Sequence, residues 1–477
     1  MEKEDKKLEF YGGEWVSFLP FVIFIALIIL TTFVWGSISD GALWVPAFSG
    51  LIIAFFLAKD KKLYANTIIK GMASEEAIIP VVCWIFAGVF ATVLRASGLA
   101  NGIAGLAASM GIKGTFFIVI TFLACCIFAT ATGTGFGTIA MGMGVLYPAG
   151  IALGCHPALL AGTIISGGAF GDNLAPVSDT TIASATSQGV DIPGVVKSRL
   201  KYALTAGVLV IIGILIIGSA YDGSMTGEIS IDYNPRTLFM LIPVAITIWV
   251  AVKTGDIIIA TTIGTVIASA TALLAGLIDF VQIDPLEPAR QALVRVSGSG
   301  LDRTVDGILY SGISGMLQVI LLALLLFASI EIMRAGHGDK RLLEVLGKVA
   351  KSARAAEFVI SIMIIVLSGL MGLNAPAILT VGASFAKPLG EKYGISPYRV
   401  ANLLDAQSNT FVYSMPWTPS IIYTIGFARD TAAPLTAADV PPYVLYAYAM
   451  LAVMFVSIIL GIGRHDGMDK LKGTVKN

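Results

Sequence analysis

The stretch GGAFGDNLAPVSDTTIASA, residues 167–185, holds the side chains best suited to chemistry. It sets Asp172, Asn173, Ser178, Asp179, Thr180 and Thr181 around Pro176, within a segment that the topology below requires to cross a membrane. Pro176 has no N–H to donate and breaks a helix, and Gly171 is expected to share in the break. Backbone freed in this way is tolerated at membrane depth only where it lines a cavity or is packed in protein, and carboxylates there are expensive and usually functional. Carboxylates, hydroxyls, an amide and freed carbonyls are the oxygen donors that a hard cation such as sodium prefers, so Asp172 and Asp179 are the expected sodium site. Plainer roles exist beside this one. Ser178 or Asp179 can cap the second half-helix, and Thr180 and Thr181 can bond back to helix carbonyls. The two roles are compatible, because a capping carboxylate that trades a proton for sodium would couple helix geometry to ion occupancy.

A second stretch, LLDAQSNTFVYSMPWTPS at residues 403–420, groups Asp405, Gln407, Ser408, Asn409 and Thr410 before a break at Pro416, with Thr418 after it. It lacks acids equivalent to Asp172 and Asp179, whose places 240 residues on are taken by Val412 and Pro419. The expected division of labour gives the cation to the first stretch and the remaining substrate or proton to the second. Tyr413 and Trp417 read as packing aromatics. Two glycine-rich turns, ATATGTGFGT and SGLMGLNAPA, contribute Thr134 and Asn374 as expected site-lining residues, although small residues there also serve close helix packing. Glu331 is expected to pair with Arg334, three residues on.

The elements that position these residues are helices in lipid. The 477 residues are 56% hydrophobic and 13% charged, with a mean hydropathy of +0.85, more apolar surface than a soluble core of that size can hide. The 31 basic and 31 acidic residues cancel, which leaves no field to hold nucleic acid. Cys83, Cys125, Cys126 and Cys155 lie in apolar runs, and His156, His337 and His465 are far apart, so no metal centre and no cofactor are expected. Apolar runs near 20 residues, with Lys and Arg assigned to the cytoplasmic side, give an all-α polytopic membrane protein of about ten transmembrane helices plus two re-entrant hairpins. Both termini then lie in the cytoplasm, the protein being multi-pass in the cell's inner membrane, and Lys197, Arg199 and Lys201 fall in a cytoplasmic loop.

The division expected along the chain is an N-terminal tail with two scaffold helices over 1–75 and a first transport unit over 76–220, with its hairpin at 114–153 and its broken helix at 157–187. Scaffold helices over 221–308 follow. A second unit covers 309–463, with its hairpin at 355–390 and its broken helix at 397–427, and 464–477 form a cytoplasmic tail. The units repeat. Pro148, Pro157 and Pro176 recur 240 residues on as Pro388, Pro397 and Pro416, and Gly142, Gly150 and Gly154 as Gly382, Gly390 and Gly394. An odd number of spans between equivalent points turns the second copy upside down, and two inverted-topology repeats with broken helices are the architecture of many secondary transporters.

The 167–185 motif resembles that of the NhaC-type sodium/proton antiporter family, and the likeness extends over residues 76–463. The resemblance implies an ion-coupled transporter rather than an enzyme, with sodium and protons as its transported ions, lipid as its surroundings and, as in many such proteins, a homodimer. The family also implies a rival, a sodium- or proton-coupled carrier of a small organic acid or amino acid. The absence of a dedicated Arg near the midplane argues against a dicarboxylate. An intramembrane aspartyl protease would need Asp172 and Asp405 to share a proton, and a channel would need a ring of identical subunits around a filter.

Overall fold

The computed structural model describes residues 6–35, 44–176, 178–221, 234–254, 256–283 and 290–466. The outermost charged tails, expected above to lie in the cytoplasm, fall outside the described residues.

Helices dominate. Six of those described are long and apolar enough to cross a membrane, among them Ala77–Ala96, Ile192–Tyr221 and Ile257–Leu274, and shorter apolar helices such as Trp44–Leu57 and Leu445–Leu460 accompany them. The longest, Ile192–Tyr221, has 30 residues, about 45 Å at 1.5 Å per residue. Along it Val195, Arg199, Tyr202, Ala203, Ala206, Val210 and Ile214 are buried on one stripe, while Leu204, Val208, Ile212 and Ile216 are exposed on the other. Apolar residues on both faces are what a helix between protein and lipid requires. Two elements depart from the sequence expectation. Lys61–Met72, capped by Asp60, is a helix beyond the two scaffold helices expected over 1–75, and a small three-stranded sheet is formed by β1 (Asp279–Ile283), β2 (Ala292–Ser297) and β3 (Thr304–Asp306) where scaffold helices were expected. β1 pairs with β2 in parallel and β2 with β3 antiparallel.

The repeat is visible element by element. The first hairpin consists of Gly114–Thr132, a turn, Gly135–Met141, a π-turn at Gly142–Leu146 and Tyr147–Ala152. The second consists of Ala353–Met371, a turn, Asn374–Val381, a π-turn at Gly382–Ala386 and Lys387–Lys392. Both tips turn through a glycine in the left-handed region, Gly133 at φ 71° and Gly372 at φ 66°, which no side chain with a Cβ adopts readily. The long arms, at 19 residues each, match the spanning helices in length. Each hairpin packs against a broken helix: Pro157–Leu174 with Asp179–Gln188, and Pro397–Ser414 with Pro419–Ala428. Eighteen residues precede the break and ten follow it in both copies.

Two arginines are fully buried in this helical body, Arg199 and Arg399. Arg399 Nε donates to Glu357 Oε1 at 2.8 Å, and Arg464 Nη2 reaches Glu357 Oε2 at 2.5 Å. This triad ties the second hairpin and second broken helix to the chain beyond Leu445–Leu460. Glu331 pairs with Lys70 at 3.1 Å, which fastens the Lys61–Met72 helix to Leu317–Ala335.

Candidate functional site

The two broken helices meet just before their breaks, where Tyr413 reaches Asp172. Pro157–Leu174 begins with Pro157 at its first turn, where a missing N–H does no harm, and His156 Nδ1 accepts from Leu159 N. The helix ends at Leu174, and Ala175 is already extended. Pro176 stands in the break as expected, but Gly171 does not: it is helical, and its carbonyl accepts the N–H of Ala175. Its reason is close approach, since a Cβ on Gly171 would lie 2.2 Å from Ala129 Cβ in the first hairpin. In the second copy Pro416 stands in the break, and an added kink at Asn409 (φ −76°, ψ 17°) frees the carbonyl of Asp405. That carbonyl accepts from Ser408 Oγ at 2.8 Å and from Asn409 Nδ2 at 3.0 Å.

Asp172 is buried where the break opens. Its Oδ1 accepts from Ser178 Oγ at 2.7 Å, and its Oδ2 from Tyr413 Oη at 3.1 Å and Asn374 Nδ2 at 3.3 Å. Three donors from three elements therefore converge on one carboxylate, and among the described residues no basic side chain lies within ion-pair distance of it. Ser178 also shares a hydrogen bond with Thr180 Oγ1 at 2.8 Å. Asp179 starts the second half-helix, its Oδ1 accepting from Thr180 N at 2.8 Å.

Asp172 and Asp179 both line a cavity of about 560 Å³. Asp256 and Glu75 line it as well, together with Thr134 and Asn374, and no Lys, Arg or His is among the described residues around it. Thr134 caps Gly135–Met141 through its Oγ1, 3.1 Å from Gly137 N. Gly135 follows it because a Cβ there would lie 2.1 Å from Tyr413 Oη.

Asp405 is treated differently. Arg199 Nη1 lies 2.5 Å from its Oδ2, both groups being fully buried. Ser184 Oγ donates to Oδ2 at 3.2 Å, and Asn173 Nδ2 and Asn409 Nδ2 donate to Oδ1 at 3.3 and 3.0 Å. Arg199 Nη1 also bonds Asn173 O and Thr181 Oγ1, and its Nε bonds Asn402 Oδ1 at 3.2 Å. The two carboxylates are joined through amides: Asn374 Nδ2 donates to Asn409 Oδ1 at 2.8 Å as well as to Asp172. With Asn374 and Asn409 between them and Arg199 on one of them, Asp172 and Asp405 are not arranged as a proton-sharing protease dyad.

Of the residues singled out from sequence, Asp172, Asn173, Ser178, Thr180, Thr181, Asn374, Asp405 and Asn409 thus fall into one connected network, with Asp179 and Thr134 on its cavity. Thr410 and Thr418 instead bond nearby backbone carbonyls, of Gln407 and Met415. The Gln407 side chain is buried with neither of its polar atoms hydrogen-bonded. Sequence reasoning missed Tyr413, Arg199, Ser184, Asn402 and Tyr446, whose hydroxyl donates to Asn173 Oδ1 at 3.4 Å. Tyr413 donates a hydrogen bond to Asp172 and is not packing alone. Arg199 is not in a loop but buried on the helix Ile192–Tyr221, against Asp405. A signal for it existed: Arg199 falls on the same stripe as Val195, Tyr202, Ala203 and Ala206, spaced by three, four and seven residues, while Lys197 and Lys201 fall off it.

Against known proteins, the sequence profile described as the Na+/H+ antiporter family matches residues 13–219 and 221–462. The chain is 24% identical over 454 residues to the Na+/H+ antiporter NhaC of Alkalihalophilus pseudofirmus, covering 90% of this chain and 93% of that protein. It is 28% identical over 242 residues to the malate-2H+/Na+-lactate antiporter of Bacillus subtilis, a match spanning about half of each protein, 47% of this chain and 49% of the other. Among solved structures, the YdaH transporter of Alcanivorax borkumensis aligns with a TM-score of 0.40 and 14% identity, over 85% of this chain and 90% of that one.

Proposed function

The chain belongs to the Na+/H+ antiporter family, and from that premise we propose that it exchanges sodium for protons across the cell's inner membrane, with Asp172 and Asp179 as the carboxylates that hold either ion. The observation that carries the reading is Asp172: a buried carboxylate held by Ser178, Tyr413 and Asn374, with no basic partner among the described residues. A buried carboxylate without a counter-charge is expensive, and two things relieve the cost: a proton or a cation. One oxygen site cannot hold both at once. Binding sodium therefore expels the proton, which is the elementary step of antiport. The acidic cavity suits the delivery of either cation, because four carboxylates, with no base among the described residues around them, raise the local cation concentration. Ser178, Thr180, Thr134 and Asn374 supply further oxygens near Asp172 and Asp179 for a desolvated sodium ion.

Asp405 has another role here. Arg199 neutralises it, so this pair fixes the junction of the two broken helices rather than carrying the exchanged ion. In the same reading the two repeats are inverted, both termini face the cytoplasm and the protein works as a homodimer, as the placement of basic residues and the family architecture suggest.

The test is sodium-induced dequenching of a pH-sensitive dye in proteoliposomes. Wild type should give a signal that Asp172→Asn abolishes. A second reading, exchange of a small carboxylate, rests on Arg199 Nη2, which is buried without a hydrogen-bond partner, and on the relation to the malate/lactate antiporter. Labelled malate or lactate uptake in liposomes where sodium moves no protons would replace the first reading by the second.

A further inference from the structure

The site cavity is larger than its sodium reading needs. A sodium ion with six waters, at about 30 Å³ each, takes up roughly 200 Å³, against about 560 Å³ here. That is the size of a small-molecule pocket, and such pockets join apolar and aromatic walls to a few placed polar groups. Two of the four carboxylates are also not among the proposed ligands of sodium. Glu75 is exposed at the start of the helix Glu75–Ala96, and Asp256 caps Ile257–Leu274, its Oδ1 accepting from Ile258 N at 2.7 Å.

Part of the wall is aromatic. Phe136, just past the tip of the first hairpin, lines the cavity half-buried. Its ring centroid lies 6.4 Å from that of Tyr413 and 6.4 Å from that of Trp84, and Trp84 lies 5.4 Å from Tyr423. All four rings line the cavity. The row begins at Asp172, which Tyr413 Oη reaches at 3.1 Å, so rings and carboxylate form one continuous wall. Tyr413, Trp84 and Tyr423 are buried, which leaves Phe136 as the ring open to an occupant. The helix Glu75–Ala96 adds an apolar face, with Ile79, Cys83 and Ala87 at four-residue intervals.

A hydrated inorganic cation gains little from such a wall. An alkylammonium ion gains from every part of it: carboxylates balance its charge, an aromatic ring attracts it, and apolar side chains cover its alkyl groups. Its charge is spread over a larger radius, so leaving water costs it less than it costs sodium. A carboxylate meets the opposite balance, four like charges with no base among the described residues around them. We propose that the cavity binds small organic ammonium ions in competition with sodium, Asp179 meeting the charge and Phe136 the alkyl groups around it. This rests on the reading of Asp172 and Asp179 as the cation site.

The experiment measures binding of radiolabelled choline to the purified full chain in sodium-free buffer, with sodium or 3,3-dimethylbutan-1-ol, the uncharged isostere of choline, as competitor. Displacement by sodium and none by the alcohol is expected. Phe136→Leu should raise the choline concentration for half-saturation roughly threefold to tenfold, while Phe136→Tyr, which keeps the ring, should hold it near that of wild type. No choline binding, binding that sodium does not displace, or an alcohol that competes as well as unlabelled choline would each overturn the site. Unchanged affinity in Phe136→Leu would do so too. Dye dequenching scores exchange separately. Sodium/proton exchange by a protein that binds no choline sinks the organic-ion site alone, whereas sodium-displaced choline binding without such exchange upholds the site and sinks the exchange reading.

Discussion

The two broken helices have the same lengths on either side of their breaks and opposite electrostatics. Each runs 18 residues, breaks at a proline-containing turn and resumes for ten. In the first, Asp172 and Asp179 line a cavity with no base among the described residues around it. In the second, the break is closed on itself: Thr418 Oγ1 bonds Met415 O and Ser420 Oγ bonds Val412 O, and the one carboxylate, Asp405, lies further up the helix against Arg199. A duplicated fold thus supplies two breaks, and the charge around each decides what it does. On the proposed reading the uncompensated carboxylate takes the exchangeable cation, whereas the compensated one is a structural tie.

The largest effect should separate the two regions outright. Asp172→Asn removes the charge that sodium needs, an expected loss of about 3 kcal/mol or more in ion binding, roughly 100-fold or greater in sodium affinity. Dye dequenching should vanish while the thermal unfolding temperature is held. Asp405→Asn should do the reverse. It strands Arg199 as a buried cation, with an expected stability loss of about 3–5 kcal/mol, and Arg199→Gln alone should lose a similar amount. The double variant should recover much of it in a thermal unfolding assay. Full stability in Asp405→Asn, with transport lost, would make Asp405 a working ion site and erase the contrast drawn here.

The next effect is on pH. If sodium and protons compete for Asp172, apparent sodium affinity is highest where the carboxylate is ionised and falls as pH drops, by roughly tenfold per pH unit once the proton dominates. Sodium titrations of the dequenching signal over several pH values test the slope, and an affinity independent of pH would sink the competition. Smallest is Tyr413→Phe, which deletes one of three donors to Asp172. An effect of about 1–2 kcal/mol is expected, seen as a several-fold change in sodium affinity with the maximal rate kept.

Much was legible beforehand because it depends on local or periodic features. Pro176 and Pro416 announce breaks since proline cannot continue a helix hydrogen-bond ladder, and the 240-residue recurrence of prolines and glycines announced two copies, which the structure carries down to matching π-turns at Gly142–Leu146 and Gly382–Ala386. Asp172 and Asn374 stood out because polar groups are rare in apolar helical segments. Gly171 was misread, since the sequence shows that a glycine is present but not whether it serves a turn or the approach of Ala129.

By itself, then, the sequence determined a lipid-solvated helical protein, its duplication, the location of both breaks and the acids of the first. Only the tertiary structure decided which acids are neutralised. Arg199 meets Asp405 across 206 residues, Tyr413 reaches Asp172 across 241, and Glu357 gathers Arg399 and Arg464. The reason is physical: hydropathy and proline act through the backbone nearby, whereas the state of a buried charge depends on the atoms packed within a few ångströms, and these come from whichever helices the fold brings together.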